Sequence, residues 1–288
     1  MNTHLDAEAQ RRGVSSLKRN SPRLRVSASI LLLVVAGLDA QISLPTYGVH
    51  RAVDAIRVDG KLDEASWMLV PRVGDIRLND DPSRRPQSPT EATLVWDDQN
   101  LYVAFGCVDA DPWGRMKNRD DQLWQEEVVE VFLDPDGDGQ NYAELEVSPN
   151  NVVVDLLIPN AKTLNANNIR SNIPGLQTAV TRHAAGWIAE IAIPWKGLAD
   201  AGVSAAPAAG TRWRAGLYRI KRPGGGEKAD QLTSLGAELK TADAARKAAI
   251  DQRMKELRAN DEYSAWSVTR PERGFHDPER FGYLEFLR

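Results

Sequence analysis

Residues 119–139 read RDDQLWQEEVVEVFLDPDGDG and place several chemistries side by side. Trp124 stands beside Arg119, Asp120, Asp121 and Glu127, and further on Asp134, Asp136 and Asp138 present carboxylates at alternate positions before Gly139. An indole ring offers a flat apolar surface, carboxylates accept hydrogen bonds and a guanidinium donates them. That mixture suits a polyhydroxylated ring such as a sugar, whose C–H faces stack and whose hydroxyls need both donors and acceptors. The same acids would equally be a solvated edge, with Trp124 capping it. Alternating aspartates suit a hard cation such as calcium, and they also suit a plain Asp-Gly hairpin turn. The aspartate run starts like an EF-hand loop, but its twelfth position is Leu145 where glutamate is required. With strands at its flanks, it is not an EF-hand.

Other residues that could do chemistry are sparser. Trp113 in DPWGR and Trp266 in YSAWS are the candidates for a second ring, and Arg219 in WRAGLYRI is a candidate partner for carboxylates. Trp67, Trp187, Trp195 and Trp213 read as packing residues, whereas Trp96 at a strand end fits either role. His50, His183 and His276 are scattered and match neither zinc-ligand nor triad spacing, so His276 reads as structural. Met68 and Met116 have no convincing axial partner for a haem. The glycines of Pro223-Gly-Gly-Gly226 lack the Lys-Ser/Thr that a phosphate loop needs. Paired carboxylates for glycoside hydrolysis depend on spatial separation and stay open at this level.

These residues must be positioned by strands. From Thr90 onward, short apolar or alternating runs (ATLVW, LYVAFGCV, VVEVFL, YAELEV, VVVDLLI, WIAEIAI, WRAGLYRI, YLEFL) are bounded by polar turns at 97–100, 136–139 and 149–151. Eight or more antiparallel strands predict an all-β sandwich of the jelly-roll or immunoglobulin-like kind. Alternation puts Val129, Val131 and Leu133 on one face, and Val128, Glu130 and Phe132 on the other. If the next strand is a neighbour, Tyr142, Glu144 and Glu146 join Glu130 on a face that is either wet or paired with cations such as Arg219. Residues 227–261 break the pattern: Leu232, Leu235 and Leu239, then Ile250, Met254 and Leu257, fall at helical spacing. This predicts a helical insertion between strands, able to dock a partner protein.

At the N-terminus, Arg11, Arg12, Lys18, Arg19, Arg23 and Arg25 precede the apolar run 26–38, and Ala40 closes it. Residues 1–40 therefore read as a secretory signal, shorter in its apolar part than the roughly 20 residues of a spanning helix. The expectation is an exported, periplasmic or extracellular protein with no membrane span after cleavage. Removing the leader takes six of the 36 basic and three of the 40 acidic side chains, leaving 30 against 37. A net charge near −7 argues against nucleic acid as a partner. The single cysteine, Cys107, permits no internal disulfide.

Five motifs in order carry a family likeness: IRVDGKLDEASW (56–67), ATLVWDDQNLYV (92–103), EVVEVFLD (127–134), NYAELEVSP (141–149) and FHDPERFG (275–282). The series resembles carbohydrate-binding module family 9-like domains and spans about 56–286. The resemblance implies a DOMON-like β-sandwich, commonly attached to glycoside hydrolases, in which tryptophans clamp a sugar and calcium braces loops. Unlike those settings, the chain is expected to carry the helical insertion and no attached catalytic domain. The resulting expectation is a non-catalytic sugar-binding domain serving xylan- or cellulose-type catabolism. Trp124, Trp266 or Trp113, Arg119, Asp121, Glu127 and Arg219 are the candidate ligand contacts, and Asp134, Asp136 and Asp138 the candidate calcium ligands. A glycoside hydrolase and a protein-interaction scaffold are the alternatives.

Overall fold

The computed structural model describes residues 43–163 and 172–288. The expected leader, 1–40, lies outside the described residues. Strands β1 (Thr46–Arg51), β2 (Arg77–Leu78), β3 (Thr90–Trp96), β4 (Asn100–Val108), β5 (Val128–Asp134) and β6 (Gln140–Val147) lead into β7 (Val153–Asn160). They are followed by β8 (Gln177–His183), β9 (Gly186–Pro194), β10 (Arg212–Lys221), β11 (Glu262–Ala265) and β12 (Gly282–Phe286). Every run read as a strand from the sequence is one, and the polar turns at 97–100, 136–139 and 149–151 connect antiparallel pairs.

One sheet runs β7-β6-β5-β10-β12-β1, with β11 on the distal half of β10 and β2 beyond it; the other runs β1-β3-β4-β9-β8. Strand β1 belongs to both. Its residues 46–49 lie parallel to β12, and His50 and Arg51 lie parallel to β3, so it turns the corner between sheets. The remaining pairings are antiparallel, as the hairpin turns require.

The inward faces interlock as the alternation dictates. Leu94, Val103 and Phe105 meet Val129, Val131 and Leu133 in one buried cluster with Trp187, Trp195 and Trp213. Each such side chain contributes about 1.5–3 kcal/mol of burial. Trp96 resolves as core too, its Nε1 donating to the Leu287 carbonyl at 3.0 Å. Outside the second sheet, Tyr102, Ala104 and Ala192 are covered by Trp67, which belongs to a short helix α1 (Ala65–Leu69).

Outside the first sheet lies a second apolar layer of Leu123, Val128, Phe132, Tyr142, Tyr218, Phe275 and Phe281. Here the sequence expectation of a wet or cation-studded face is corrected. Glu130, Glu144 and Glu146 do share this face, Glu130 opposite Glu146 in register, yet all three are buried beneath the aromatic layer. Tyr218 lies flat because Gly216 has no side chain: a Cβ there would stand 2.3 Å from the ring. Its ring stacks on Phe275 at 4.2 Å.

The expected insertion is a helical hairpin, α2 (Gly225–Leu239) and α3 (Ala244–Arg258), joining β10 to β11. Asp243 caps α3 by accepting from the Arg246 N–H at 2.8 Å. Only Gly225, Lys228 and Ile250 of the two helices are buried, so the hairpin stands out from the sandwich. Among the described residues, no helix is long and apolar enough to cross a membrane.

Candidate functional site

The 109–127 connection between β4 and β5 carries Trp113 and Trp124, and a buried chain of charges fixes both its ends. Arg219 donates to Asp109 at 2.7 Å, Lys221 bridges Asp109 and Glu127 at 2.6 Å each, and all four groups are buried. Asp109 opens the loop and Glu127 closes it, so strand β10 holds both ends through neighbouring cations. Burial acts to raise Asp109, but Lys221, the Asp111 N–H and Arg219 hold it below the ordinary carboxylate range. Burial pushes Glu127 up to about 7 despite Lys221.

Within the loop, polar side chains fold the backbone back on itself. Glu126 accepts the N–H groups of Arg115 and Met116 at 2.7 and 3.1 Å, and Asp121 accepts those of Asn118 and Lys117 at 2.9 and 3.2 Å. Asp120 takes a left-handed φ of 65° while its N–H donates to the Val153 carbonyl at 3.0 Å. Trp124 then sits half-buried on a single helical turn, 123–125, with its carbonyl held by Arg222 at 2.8 Å. Trp113 donates from Nε1 to the Arg222 carbonyl at 2.7 Å.

Both tryptophans line one cavity of about 520 Å³, bounded by the loop on one side and by the helical hairpin on the other. Arg115, Glu126, Arg222 and Tyr263 form the sandwich side, and Lys228, Leu232, Met254 and Arg258 form the hairpin side. The triple glycine makes this approach feasible. Gly224 and Gly225 take φ values of 98° and 57°, and a Cβ on Gly226 would come within 3.3 Å of the Arg115 side chain.

The sequence-predicted residues divide clearly against this geometry. Trp124 and Trp113 come together at the cavity. Trp266 does not: its ring packs in the sandwich interior, against the space that Gly282 leaves open. Arg219 is also displaced from its expected place, because it lies opposite Val129 and therefore points inward, away from Glu130. There it donates to the Ser88 and Val108 carbonyls and Thr90 Oγ1 as well as to Asp109. Arg119 reaches away to Asp155 and Asn172 Oδ1. Glu127 and Asp121 shape the loop. Arg115, Arg222, Tyr263 and the whole hairpin wall were absent from the sequence reading. The aromatic-basic pair Arg222 and Tyr263, flanking the insertion, was the available signal.

Beneath the loop, Glu146 faces the backbone N–H of Trp124, and burial with mutual repulsion raises Glu130 and Glu146 well above the carboxylate range. Burial pushes Glu144 up to about 8. His276 bonds Tyr142 Oη through Nδ1 at 2.8 Å, and burial lowers it to about 4. The turn after β5 brings one carboxylate oxygen each of Asp134, Asp136 and Asp138 within 4.8 Å of one another. Both Asp134 oxygens already accept backbone N–H groups, from Gly137 at 3.1 Å and Gly139 at 3.0 Å.

Comparison with known proteins agrees with this architecture. No curated protein matches the chain. A family 9 carbohydrate-binding module of Caldicellulosiruptor kristjanssonii in complex with cellotriose superposes with a TM-score of 0.53 at 16% identity, covering 84% of this chain and 94% of that one. The same organism's family 9 module in complex with glucose gives 0.54 at 17% identity, covering 85% and 97%. The sequence profile of the family described as carbohydrate family 9 binding domain-like matches residues 58–287, nearly all of the sandwich. This chain therefore belongs to the carbohydrate family 9 binding domain-like family.

Proposed function

We propose that the protein binds carbohydrate in the cavity between the 109–127 loop and the helical hairpin, with a pyranose ring against Trp124 and Trp113 as the second aromatic wall. The observation that carries this reading is that two tryptophans of one braced loop line a single cavity together with hydrogen-bonding side chains. Sugar recognition needs that pairing of flat apolar surface and polar groups. Family membership and the sugar-bound relatives support the same ligand class. In this reading Arg219, Glu127 and Asp121 act through the loop they brace. The leader at 1–40 exports the chain, where it serves polysaccharide breakdown; protein sequencing of the secreted form, expected to begin after Ala40, tests the export. The hairpin's Leu232 and Met254 face the cavity, which favours a ligand wall over a partner-docking surface.

Isothermal titration of the full chain with cello-, xylo- and uronate oligosaccharides tests the reading. Binding of at least one class is expected, weakened about tenfold or more in Trp124→Ala. Absence of heat with every class, or an affinity that Trp124→Ala leaves unchanged, would overturn it.

A further inference from the structure

The cavity's charge is one-sided. Arg115, Arg222, Lys228 and Arg258 line it, against Glu126 as the one acid among its described lining residues. Glu126 is turned into the loop, where one oxygen accepts two backbone N–H groups and the other lies 3.9 Å from Arg115 Nε. The four cations outnumber the three acids that answer them, Glu126, Asp230 and Asp261. Arg222 and Lys228 converge on a single buried carboxylate, Asp261. Arg222 Nε is buried without a hydrogen-bond partner, and the Arg258 guanidinium has no ion-pair partner among the described residues. Arg115 is answered by the exposed Asp230 at 2.6 Å. This happens on a chain whose formal net charge is −4, where a chance excess of cations around a cavity runs against composition.

A neutral sugar presents hydroxyls that need acceptors as often as donors. A wall whose charged groups donate and whose one carboxylate is engaged suits a ligand that carries acceptors and negative charge. Guanidinium and ammonium groups bind carboxylates through charge-assisted hydrogen bonds about twice as strong as neutral ones. The rings of Trp113, Trp124 and Tyr263 still ask for a flat apolar face. A uronic acid residue of a glycan supplies both: a pyranose face for the rings and a carboxylate for the cations.

We propose that the cavity is selective for acidic, uronate-bearing glycans, with the sugar carboxylate on the Arg222, Lys228 and Arg258 side. This rests on the reading of the cavity as the sugar site, and the test separates the two. The full chain is titrated with trigalacturonate, with its methyl ester and with cellotriose. Trigalacturonate is expected to bind at least about tenfold tighter than either neutral probe, a preference that shrinks in 0.5 M salt. Arg258→Gln, at an exposed helix end, is expected to lower the ratio of trigalacturonate to cellotriose affinity to within about threefold, with an unchanged melting curve as the check on folding. Equal affinity for the three probes, or tighter binding of the neutral ones, overturns the acidic preference and leaves the sugar reading standing. Silence with all three overturns the acidic preference, and silence with xylo-oligosaccharides as well overturns the sugar reading.

Discussion

At the scale of single residues, Arg219 shows how one side chain acts on a site it never touches. It is almost wholly buried, donates to four acceptors and shares Asp109 with Lys221, which in turn holds Glu127. Removing one partner of a buried ion pair leaves an uncompensated charge and costs about 3–5 kcal/mol. Arg219→Ala is therefore expected to lower the unfolding free energy from urea titration by that order and to loosen the 109–127 loop, visible as faster amide exchange at residues 113–126. An unfolding free energy within about 0.5 kcal/mol of the parent would show that Asp109 does not depend on Arg219. The role was not legible from the sequence for a specific reason. Along β10, Trp213, Ala215 and Leu217 alternate with Gly216, Tyr218 and Ile220, and both sets are apolar because both faces of the strand are covered. Alternation therefore says that Arg219 shares a face with Leu217 but not that this face is the interior. Trp266 was misjudged because it stands just past the end of β11 in a stretch, 264–267, that is buried throughout, its two serines included, so no polar alternation marked the ring as core.

At the scale of elements, strands and turns were legible wherever alternation or a run of β-branched residues met a polar turn. Strand β8, QTAVTRH, was not, because it is an edge strand, half exposed along its length and mixed in composition. The hairpin's helical character was legible from its leucine spacing, whereas its function as a cavity wall depends on where β10 and β11 place its ends. Lys221 pairs with Glu262 across those strands, so the hairpin is an enlarged turn over the loop. The turn of Asp134–Gly139 carries its own prediction. Its three aspartates crowd charge that backbone N–H groups and the Gln140 side-chain amide relieve, and burial together with Asp136 raises Asp134 to about 6. Asp136 and Asp138 are exposed: Asp136 accepts the Asp138 N–H through one oxygen, and Asp138 accepts the Gln140 N–H through one oxygen and, at 3.4 Å, the Gln140 side-chain amide through the other, a weak bond that a cation would displace. We propose that calcium braces this turn. At 10 mM calcium and a dissociation constant of about 1 mM, linkage gives roughly 1.4 kcal/mol, a rise of a few degrees in the melting temperature. Asp138→Asn is expected to abolish that rise, and a melting curve that calcium does not move would exclude the brace.

For the whole molecule, the buried acids set how stability responds to pH. Glu130, Glu144 and Glu146 lie under one aromatic layer, and Glu144 Oε2 and Glu146 Oε2 have no hydrogen-bond partner among the described residues. Water-deprived carboxyls stay protonated, which is why Glu144 is pushed from 4.5 to about 8 and the other two well above 4.5. The unfolded chain releases these protons near pH 4.5, whereas the folded chain keeps them. The folded state thus binds more protons across this window, and linkage makes stability fall as pH rises through it. His276 works in the opposite sense only below 6.5: burial holds it at about 4, so acidification favours the unfolded chain, which takes up that proton first. Asp109 and Asp277, held below their ordinary value, add stability that is already complete at neutral pH and is lost only toward acid. Between pH 6.5 and 8 the acid layer is therefore unopposed. The unfolding free energy is expected to decline over that interval by an amount on the order of 1–2 kcal/mol for each of these carboxyls that still holds its proton. Glu144→Gln keeps the shape and removes the titration, so its stability profile should be flatter between pH 6.5 and 8 and lie above the parent's at the alkaline end. Chemical denaturation at half-unit pH steps measures both curves. Parallel profiles would mean that Glu144 is ionised in the fold, and the aromatic layer would then have to admit water or a counter-charge at that position.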